Sequence, residues 1–182
     1  MPGPLEVAPY LLHKVLVRGE RAGRIVEVEA YHGADDPASH AFGGPTPRNQ
    51  VMFGPAGHCY VYFTYGMHWC ANVVCGPDGE AGAVLVRALQ PLHGLDAMRV
   101  ARPVARRDVD LCNGPAKACQ ALGITGADNG SDLLSGHGRL HLVDDGVPPP
   151  ARPACGPRVG IRKATDYPWR FWVPQSPWVS RR

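Results

Sequence analysis

An aromatic run from Tyr60 to Tyr65, followed at once by Gly66, constrains the fold of this 182-residue chain most strongly. Aromatic and β-branched residues favour a pleated, half-buried surface, so the run predicts a β-strand. Glycine in such a pattern marks a bend, a bulge or the close approach of another backbone. Two interpretations follow: a core strand broken by a tight turn, or an aromatic side chain held at the tip of a turn, where it can wedge between stacked bases.

Glycine and proline are unusually frequent in this chain, which contains 22 and 19 of them, respectively. Such a composition predicts many turns and irregular connections rather than a helical bundle. With 45% hydrophobic residues, the chain is long enough to form one domain, spanning residues 1–182, with a sizeable core. Because the predicted elements lack a regular β-α alternation, we expect an α+β fold. Its curved, mostly antiparallel sheet forms a roll or an open barrel, with short flanking helices and a protruding β-hairpin.

Hydrophobic periodicity predicts the helices and strands along the chain. One helix is expected within residues 5–17, beginning near Pro9, and another begins near Pro115, because proline suits the first helical turn. Residues 83–89 are predicted as a strand that Pro91 ends. The remaining predicted elements are a helix over residues 94–100 and strands over residues 24–31, 139–143, 158–161 and 169–173.

The net charge of +3 is small, but the basic residues are unevenly distributed. Residues 99–107 contain four arginines and no acid, and residues 150–182 contain six arginines and one lysine against one acid. Basic segments favour a polyanionic partner such as nucleic acid, although a chain this close to neutral can also simply be soluble.

Six cysteines suggest disulfides or a zinc site, but their spacing argues against both, because no Cys-x-x-Cys pair occurs. The N-terminal residues lack the basic and apolar regions of a signal peptide. No apolar run approaches the roughly 20 residues that span a bilayer. We therefore expect a reducing, cytoplasmic setting, no contact with a membrane, and cysteines that serve as small buried hydrophobic side chains.

Glu29 and Arg87 are charged residues within strongly apolar strand patterns. A half-buried carboxylate at Glu29 suits a general base; alternatively, Glu27 and Glu29 share a solvated face of the strand. Arg87 interrupts a nearly continuous apolar run. We expect it to reach an edge or to pair with a carboxylate, because a buried, unpaired guanidinium is too costly.

Residues 32–57 form a long predicted loop rich in glycine and proline, and long ordered loops in compact domains tend to be functional. His32, His40 and two aspartates there suggest a metal, but their spacing matches no zinc pattern, so we expect none. After Asn113, the predicted helix carries Lys117 in its first turn. This arrangement suits either a phosphate contact or an ordinary helix start.

In combination, these segments resemble the alkyladenine (3-methyladenine) DNA glycosylase family. The residues that carry the resemblance occur in the family's order and cover nearly the whole chain. They are Glu27-Val28-Glu29-Ala30-Tyr31, His40, Thr46-Pro47-Arg48-Asn49, Met52-Phe53, Tyr60-Val61-Tyr62, Tyr65-Gly66-Met67, Asn72, Leu85-Val86-Arg87-Ala88-Leu89, Asn113-Gly114-Pro115, Lys117, Arg158-Val159-Gly160 and Ser176-Pro177-Trp178-Val179.

The resemblance implies a monofunctional enzyme that removes alkylated or deaminated purines from duplex DNA. Such an enzyme flips the base out of the helix, because the glycosidic bond is unreachable within the stack. An activated water then hydrolyses the N-glycosidic bond and leaves an abasic site. The implied substrates are 3-methyladenine, 7-methylguanine, hypoxanthine and ethenoadenine, and we expect no cofactor. From the size of the chain and the nature of the substrate, we expect a monomer.

The resemblance also implies a role for each matching residue. Glu29 resembles the general base, with Arg87 as its positively charged neighbour. Asn72 resembles the gate that crowds the 2-amino group of guanine, and the Val159 carbonyl resembles a ligand of the water. The implied base pocket contains Tyr31, His40, Tyr62, Asn72 and Val159.

Other implied roles concern the DNA around the flipped base. Tyr65 resembles the wedge that fills the gap in the stack, and Met67 lies in the same intercalating turn. Contacts with the DNA backbone are implied for Arg48, Asn49 and Lys117. Pro45 departs from the family's pattern, which often has an arginine after the paired glycines.

Two alternative functions stay open at this point. One is a damaged-DNA binding module without turnover, which the presence of Glu29 and Arg87 argues against. Another is an RNA-binding or translation-related protein with the same curved sheet, since a fold alone does not determine function. Base release in a single turnover separates an enzyme from a DNA-binding module. Competition by duplex RNA tests the RNA-binding alternative.

Overall fold

The computed structural model describes residues 1–180, which form an eight-stranded sheet with three short α-helices. The helices are α1 (Pro4–Leu11), α2 (Leu95–Ala101) and α3 (Pro115–Leu122). The strands are β1 (Val15–Arg18), β2 (Arg21–Tyr31), β3 (Cys59–Thr64), β4 (His68–Val74), β5 (Ala83–His93), β6 (Leu140–Val143), β7 (Ala154–Gly156) and β8 (Arg170–Trp172).

The strands are antiparallel neighbours in the order β3-β4-β5-β2-β1-β6. The hairpin of β7 and β8 joins β2 next to β1. β1 pairs with residues 21–24 of β2, and β8 pairs with residues 27–29 of the same strand. The sheet curls into a half-barrel, with β3 and β4 as its outer hairpin. The predicted α+β fold, with a curved antiparallel sheet and short helices, is therefore confirmed.

β2 carries an apolar face and a charged face. Val28 and Ala30 are fully buried in the hydrophobic core, and they alternate with Glu27 and Glu29 on the opposite face. Both carboxylates are also fully buried. The alternative that these two residues share a solvated face is therefore wrong, because residues from distant segments contact both carboxylates on that face, Ser180 at Glu27 and Val159 at Glu29.

A β-bulge in the centre of the sheet determines where Arg87 lies. Glu27 pairs with Ala88 and Val28 pairs with Val86, so Arg87 is the extra residue on β5. Bulges bend a strand locally and redirect a side chain. Here the redirected side chain contacts the carboxylates of β2.

The main core lies between the sheet and the helices. α3 packs on β4 and β5, and α1 packs on β2. Helices of seven or eight residues are marginal in isolation, so their stability depends on this packing. The fully buried side chains include Leu12, Ile25, Leu89, Met98 and Leu122. Each contributes about 1.5–3 kcal/mol relative to an exposed position.

α1 differs from its predicted bounds at both ends. It begins at Pro4, where the missing amide proton of proline costs nothing, rather than near Pro9. Gly3 directly precedes the helix, and its backbone N–H is satisfied because it donates to Glu6 Oε2 at 3.1 Å. The helix ends at Leu11, because residues 15–18 pair with β2 as a strand.

Two strand predictions in the second half of the sheet were also wrong. β5 continues through Pro91 to His93, because Pro91 lies opposite Gly23 at a register shift, where the ladder is already irregular. Residues 158–161 form no strand, and the strand in that region is β7. Its pairing with β8 is a long-range contact that local periodicity does not indicate.

All six cysteines are free thiols, and five of them are buried as predicted. Cys155 is exposed, contrary to the prediction, because β7 is a three-residue strand that pairs only with β8. Burial raises the pKa of Cys59 to about 12, so this thiol stays protonated at neutral pH.

Gly33 should not tolerate a side chain. Its φ of +42° is left-handed, and an added Cβ would lie 2.2 Å from the carbonyl oxygen of Ala81. We expect Gly33→Ala to lower the free energy of unfolding by more than about 2 kcal/mol, measured by urea denaturation, because strain and clash add. Gly43→Ala is the control in the same loop: its surroundings are open, and it should change stability by less than about 0.5 kcal/mol. Equal losses in both variants would contradict this account.

Candidate active site

A cavity of about 530 Å³ opens between the β3–β4 hairpin, the central strands and two loops. This volume lies within the usual range for small-molecule sites. The predicted site residues that line it are Glu29, Tyr31, His40, Tyr62, Tyr65, Asn72, Arg87 and Val159. The structure therefore brings residues from distant segments of the chain into one cavity.

Glu29 lies at the buried end of this cavity, where its carboxylate contacts hydrogen-bonding and charged groups from three segments. The Val159 N–H donates to Oε1 at 2.7 Å, and Arg87 Nη1 lies 3.1 Å from the same oxygen. The Tyr31 hydroxyl donates to Oε2 at 2.9 Å. A carboxylate has about four lone-pair sites. Two hydrogen bonds and one ion-pair contact therefore leave acceptor capacity on Glu29.

Arg87 is shared between two carboxylates. Its Nε donates to Glu27 Oε1 at 2.9 Å, while Nη1 contacts Glu29. The prediction that Arg87 pairs with a carboxylate is confirmed. Burial alone would lower the pKa of Arg87, but the charges of Glu29 and Glu27 outweigh burial and raise it. The guanidinium therefore stays charged within the sheet.

Glu27 is the buried carboxylate that the sequence analysis did not assign to the site. The Ser180 N–H donates to Oε2 at 2.6 Å, and the Ser180 hydroxyl donates to Oε1 at 2.8 Å. Arg170 Nη1 on β8 lies 3.7 Å from Oε1. Glu27 thus fixes the position of Arg87 from the side opposite Glu29. Its position two residues before Glu29 on one strand is the signal that could have identified it.

Aromatic rings form the wall of the cavity above Glu29. His40 and Tyr62 make an edge contact with ring centroids 4.5 Å apart, and Tyr60 stacks on Tyr62 at 5.5 Å. His40 Nδ1 lies 3.1 Å from the Tyr60 hydroxyl. Burial, and then the charge of Glu29, raises the pKa of Tyr31, so its hydroxyl remains a donor.

Asn72 holds the base of the hairpin at the edge of the cavity. Its side chain is buried, and Nδ2 donates to the carbonyl oxygen of Tyr60 at 3.0 Å. Because this bond crosses from β4 to β3, it fixes the amide group where it lines the cavity. The residue has little freedom to move aside for a larger ligand.

The hairpin tip exposes two large side chains. Tyr65 is 82% exposed and Met67 is 67% exposed. Tyr65 and Gly66 both have positive φ, and the Met67 N–H donates to the Thr64 carbonyl at 3.2 Å. Positive φ at both central residues is typical of tight hairpin turns, although it is uncommon for tyrosine. The turn therefore presents Tyr65 outward, beside the mouth of the cavity.

The residues predicted to contact the DNA backbone lie in different environments. Arg48 is exposed, and its Nη2 donates to the Phe63 carbonyl at 3.1 Å. Lys117 is partly buried, and its Nζ donates to Asn113 Oδ1 at 2.7 Å. Asn49 is buried, contrary to the expected phosphate contact. Its amide instead holds the loop, because it donates to the carbonyls of two loop residues and accepts from the Thr46 N–H.

Acidic partners neutralise some of the cations in both basic segments. Arg99 forms ion pairs with Asp96 and Asp108, and Arg107 pairs with Asp110. By contrast, Arg162 and Lys163 are exposed and line the cavity. The sequence analysis noted only that residues 150–182 are basic and did not single out these two residues.

Residues 1–180 lack two features that would indicate other functions. No group of three or more His, Cys, Asp or Glu side chains could hold a metal ion. No helix in this part of the chain is long and apolar enough to cross a membrane.

Comparisons with known proteins agree on one family. A family model described as methylpurine-DNA glycosylase matches residues 2–177. The chain is 61% identical over 176 residues to a Burkholderia lata protein named "Putative 3-methyladenine DNA glycosylase", covering 96% of this chain and 85% of that protein. A Rhodopseudomonas palustris protein of the same name is 55% identical over 180 residues, covering 97% and 82%. A Nocardia farcinica protein of that name is 50% identical over 182 residues, covering 97% and 86%.

Protonation of His40 should destabilise the folded protein. Burial, and then the charge of Arg48, lowers the pKa of His40, whereas an unfolded chain protonates histidine near pH 6.5. The contribution of neutral His40 to stability is therefore complete above about pH 6.5, and it is lost as the pH falls below that value. We expect the free energy of unfolding, measured in urea at a series of pH values, to fall less steeply below about pH 6.5 in His40→Gln than in the wild type.

The control for this prediction is His137→Gln, since His137 is exposed and does not line the cavity. Its pH profile should follow the wild-type profile. A His40→Gln profile that also follows the wild type would contradict the prediction.

Proposed function

This chain belongs to the methylpurine-DNA glycosylase family, and from that membership we propose that it excises damaged purines from duplex DNA. The proposed substrates are alkylated or deaminated purines: 3-methyladenine, 7-methylguanine, hypoxanthine and ethenoadenine. The product is an abasic site, and no covalent intermediate forms with the protein. The enzyme is proposed to act as a monomer in the cytoplasm.

The observation that carries this proposal is the environment of Glu29. Its carboxylate is fully buried, contacts three donors and faces a cavity with aromatic walls. A general base must lie within hydrogen-bond reach of the proton that it abstracts. The position of Glu29 in the cavity lining supports this role, and its remaining acceptor capacity is proposed to take a hydrogen bond from the attacking water.

In the proposed reaction, water attacks C1′ of the flipped nucleotide. A proton of the water passes to Glu29, and the bond from C1′ to the purine nitrogen breaks. The bonding electron pair leaves with the base, which neutralises the positive charge of a base such as 3-methyladenine. Arg87 holds Glu29 in place, and its positive charge offsets the negative charge of this water-activating carboxylate.

The aromatic walls support recognition of the base. An electron-poor purine stacks favourably on aromatic rings, and a cationic purine is also attracted by their electron-rich faces. Tyr31, His40 and Tyr62 are proposed to enclose the flipped base. Asn72, held by its bond to Tyr60, is proposed to disfavour unmodified guanine by crowding its 2-amino group; 7-methylguanine keeps that group, but its positive charge weakens the glycosidic bond. The Val159 carbonyl is proposed to hold the attacking water.

The surface around the cavity suits a DNA duplex. Tyr65, at the exposed hairpin tip, is proposed to fill the gap in the base stack, with Met67 beside it. The exposed cations at the cavity rim, Arg162 and Lys163, are proposed phosphate contacts. Arg48 and Lys117 are further proposed phosphate contacts.

Glu29→Gln tests the proposed chemistry. The amide has nearly the same shape but cannot accept a proton from water, so single-turnover base release should fall by at least about 100-fold. The assay uses enzyme in excess over duplexes containing one hypoxanthine, or over alkylated DNA, and cuts the abasic product with alkali. Binding of the lesion duplex should be retained. Glu20→Gln, at an exposed turn, is the matched control and should keep wild-type activity.

The possible outcomes separate the function from the mechanism. Release by the wild type but not by Glu29→Gln supports both. Release by both proteins would retain the glycosylase function and exclude Glu29 as the base. If the wild type binds lesion duplexes but releases no base from either substrate, the chain is a damaged-DNA binding module instead.

Tyr65→Ser tests the proposed wedge. Without the ring, the flipped state loses the side chain that replaces the base in the stack. We expect lesion duplex affinity to fall about 10-fold or more, corresponding to the 1–3 kcal/mol of one base-stacking contact. Affinity for undamaged duplex should change much less. Tyr10→Ser is the matched control, because Tyr10 is 68% exposed on α1 and lies outside the cavity. Equal losses on both duplexes would count against a wedge.

A further inference from the structure

A second ion pair, between Asp36 and Arg158, is completely buried beside the cavity, with both side chains 0% exposed. Arg158 Nη2 donates to Asp36 Oδ1 at 2.8 Å, and Nη1 donates to Oδ2, so the pair is bidentate. Nη1 also donates to the carbonyl oxygen of Ala30 at 3.0 Å. Neither residue has a role in the chemistry proposed above.

Burial of an ion pair is a weak source of stability, because desolvation of two charges offsets much of their attraction. The position of this pair indicates a different role. Asp36 also accepts hydrogen bonds from the backbone N–H groups of His32 and Ala38, in the loop that leads to His40. The Arg158 guanidinium stacks over the Tyr31 ring at 4.6 Å. One ion pair therefore joins the loop, the end of β2 and the segment that contains Val159.

Arg158 directly precedes Val159, whose N–H donates to Glu29 Oε1. Residues 158–161 belong to no strand, so no ladder fixes the direction of this N–H. The side chain of Arg158 supplies that constraint, because it is anchored to Asp36, to Ala30 and against the Tyr31 ring.

We propose that Asp36 and Arg158 are positioning residues for the general base: their ion pair directs the Val159 N–H at Glu29 and holds the carboxylate oriented toward the water. This inference rests on the proposed glycosylase function. Loss of the ion pair affects the chemical step more than the binding of DNA, because Glu29 must be correctly oriented only for proton abstraction.

The pH dependence of the reaction distinguishes positioning from simple stabilisation. When a carboxylate loses a hydrogen-bond donor, its proton is held more tightly, and the acid limb of the rate profile moves to higher pH. The other charged or titratable groups facing Glu29 are Arg87 on β5, Tyr31 and Glu27 on β2, Tyr62 and Cys70 in the hairpin, and, across Glu27, Arg170 on β8. None of them is altered in the variants below.

The test is single-turnover base release by Asp36→Asn across the acid pH range, with enzyme at saturating concentration. We expect a rate constant about 100-fold below the wild type, an acid limb at higher pH, and lesion affinity within a few-fold of the wild type. Asp128→Asn is the matched control. Asp128 pairs with Arg18 through two 3.1 Å contacts and does not line the cavity. This variant should lose stability but keep the wild-type rate constant and pH profile.

Arg158→Lys is a second variant, which keeps the charge but loses the bidentate contact and the planar stacking group. It should show the same shift of the acid limb, and it decides the test if Asp36→Asn does not fold. A wild-type pH profile in the folded variants would overturn the inference while the glycosylase function stands. Failure of both variants to fold would overturn it too, since the pair would then be a requirement of the fold. If the wild type itself releases no base, the proposed function fails first.

Discussion

The structure depends on a guanidinium held between two carboxylates inside a β-sheet. Arg87 contacts Glu27 and Glu29, and these contacts compensate the buried charges, because an unpaired buried charge is strongly destabilising. The bulge on β5 directs Arg87 at β2, and β8 contributes Arg170 from the opposite edge. The charged cluster therefore depends on the strand pairing at the centre of the sheet.

The loops around this cluster are held by polar side chains rather than by regular structure. Asn49 holds the loop near His40 through three hydrogen bonds, and Asp36 and Arg158 connect that loop to the segment with Val159. His40, the wall residue that lies outside the strands, is thereby fixed beside the cavity. Loop residues positioned by a sheet commonly contribute to functional sites.

The sequence predicted those features that local pattern determines. Alternating β-branched and aromatic residues indicated the sheet, and Gly66 after Tyr65 indicated the hairpin turn. The pairing of Arg87 followed from the cost of burying its charge. Family resemblance, rather than pattern, identified Glu29 as the residue that faces the cavity. Long-range contacts could not be predicted: the burial of Glu27 depends on β8 and residue 180, and the Asp36–Arg158 pair joins residues 122 positions apart.

The contact between Glu27 and Ser180 also has a consequence for the order in which the molecule is completed. The two residues are 153 positions apart, and Ser180 provides two of the donors to Glu27. During translation, β2 and β5 emerge from the ribosome before residue 180 does. The nascent chain can form its central strands, but it holds an incompletely satisfied carboxylate next to Glu29 until residue 180 emerges. Completion of the charged cluster is thus coupled to the synthesis of residue 180 rather than to formation of the sheet.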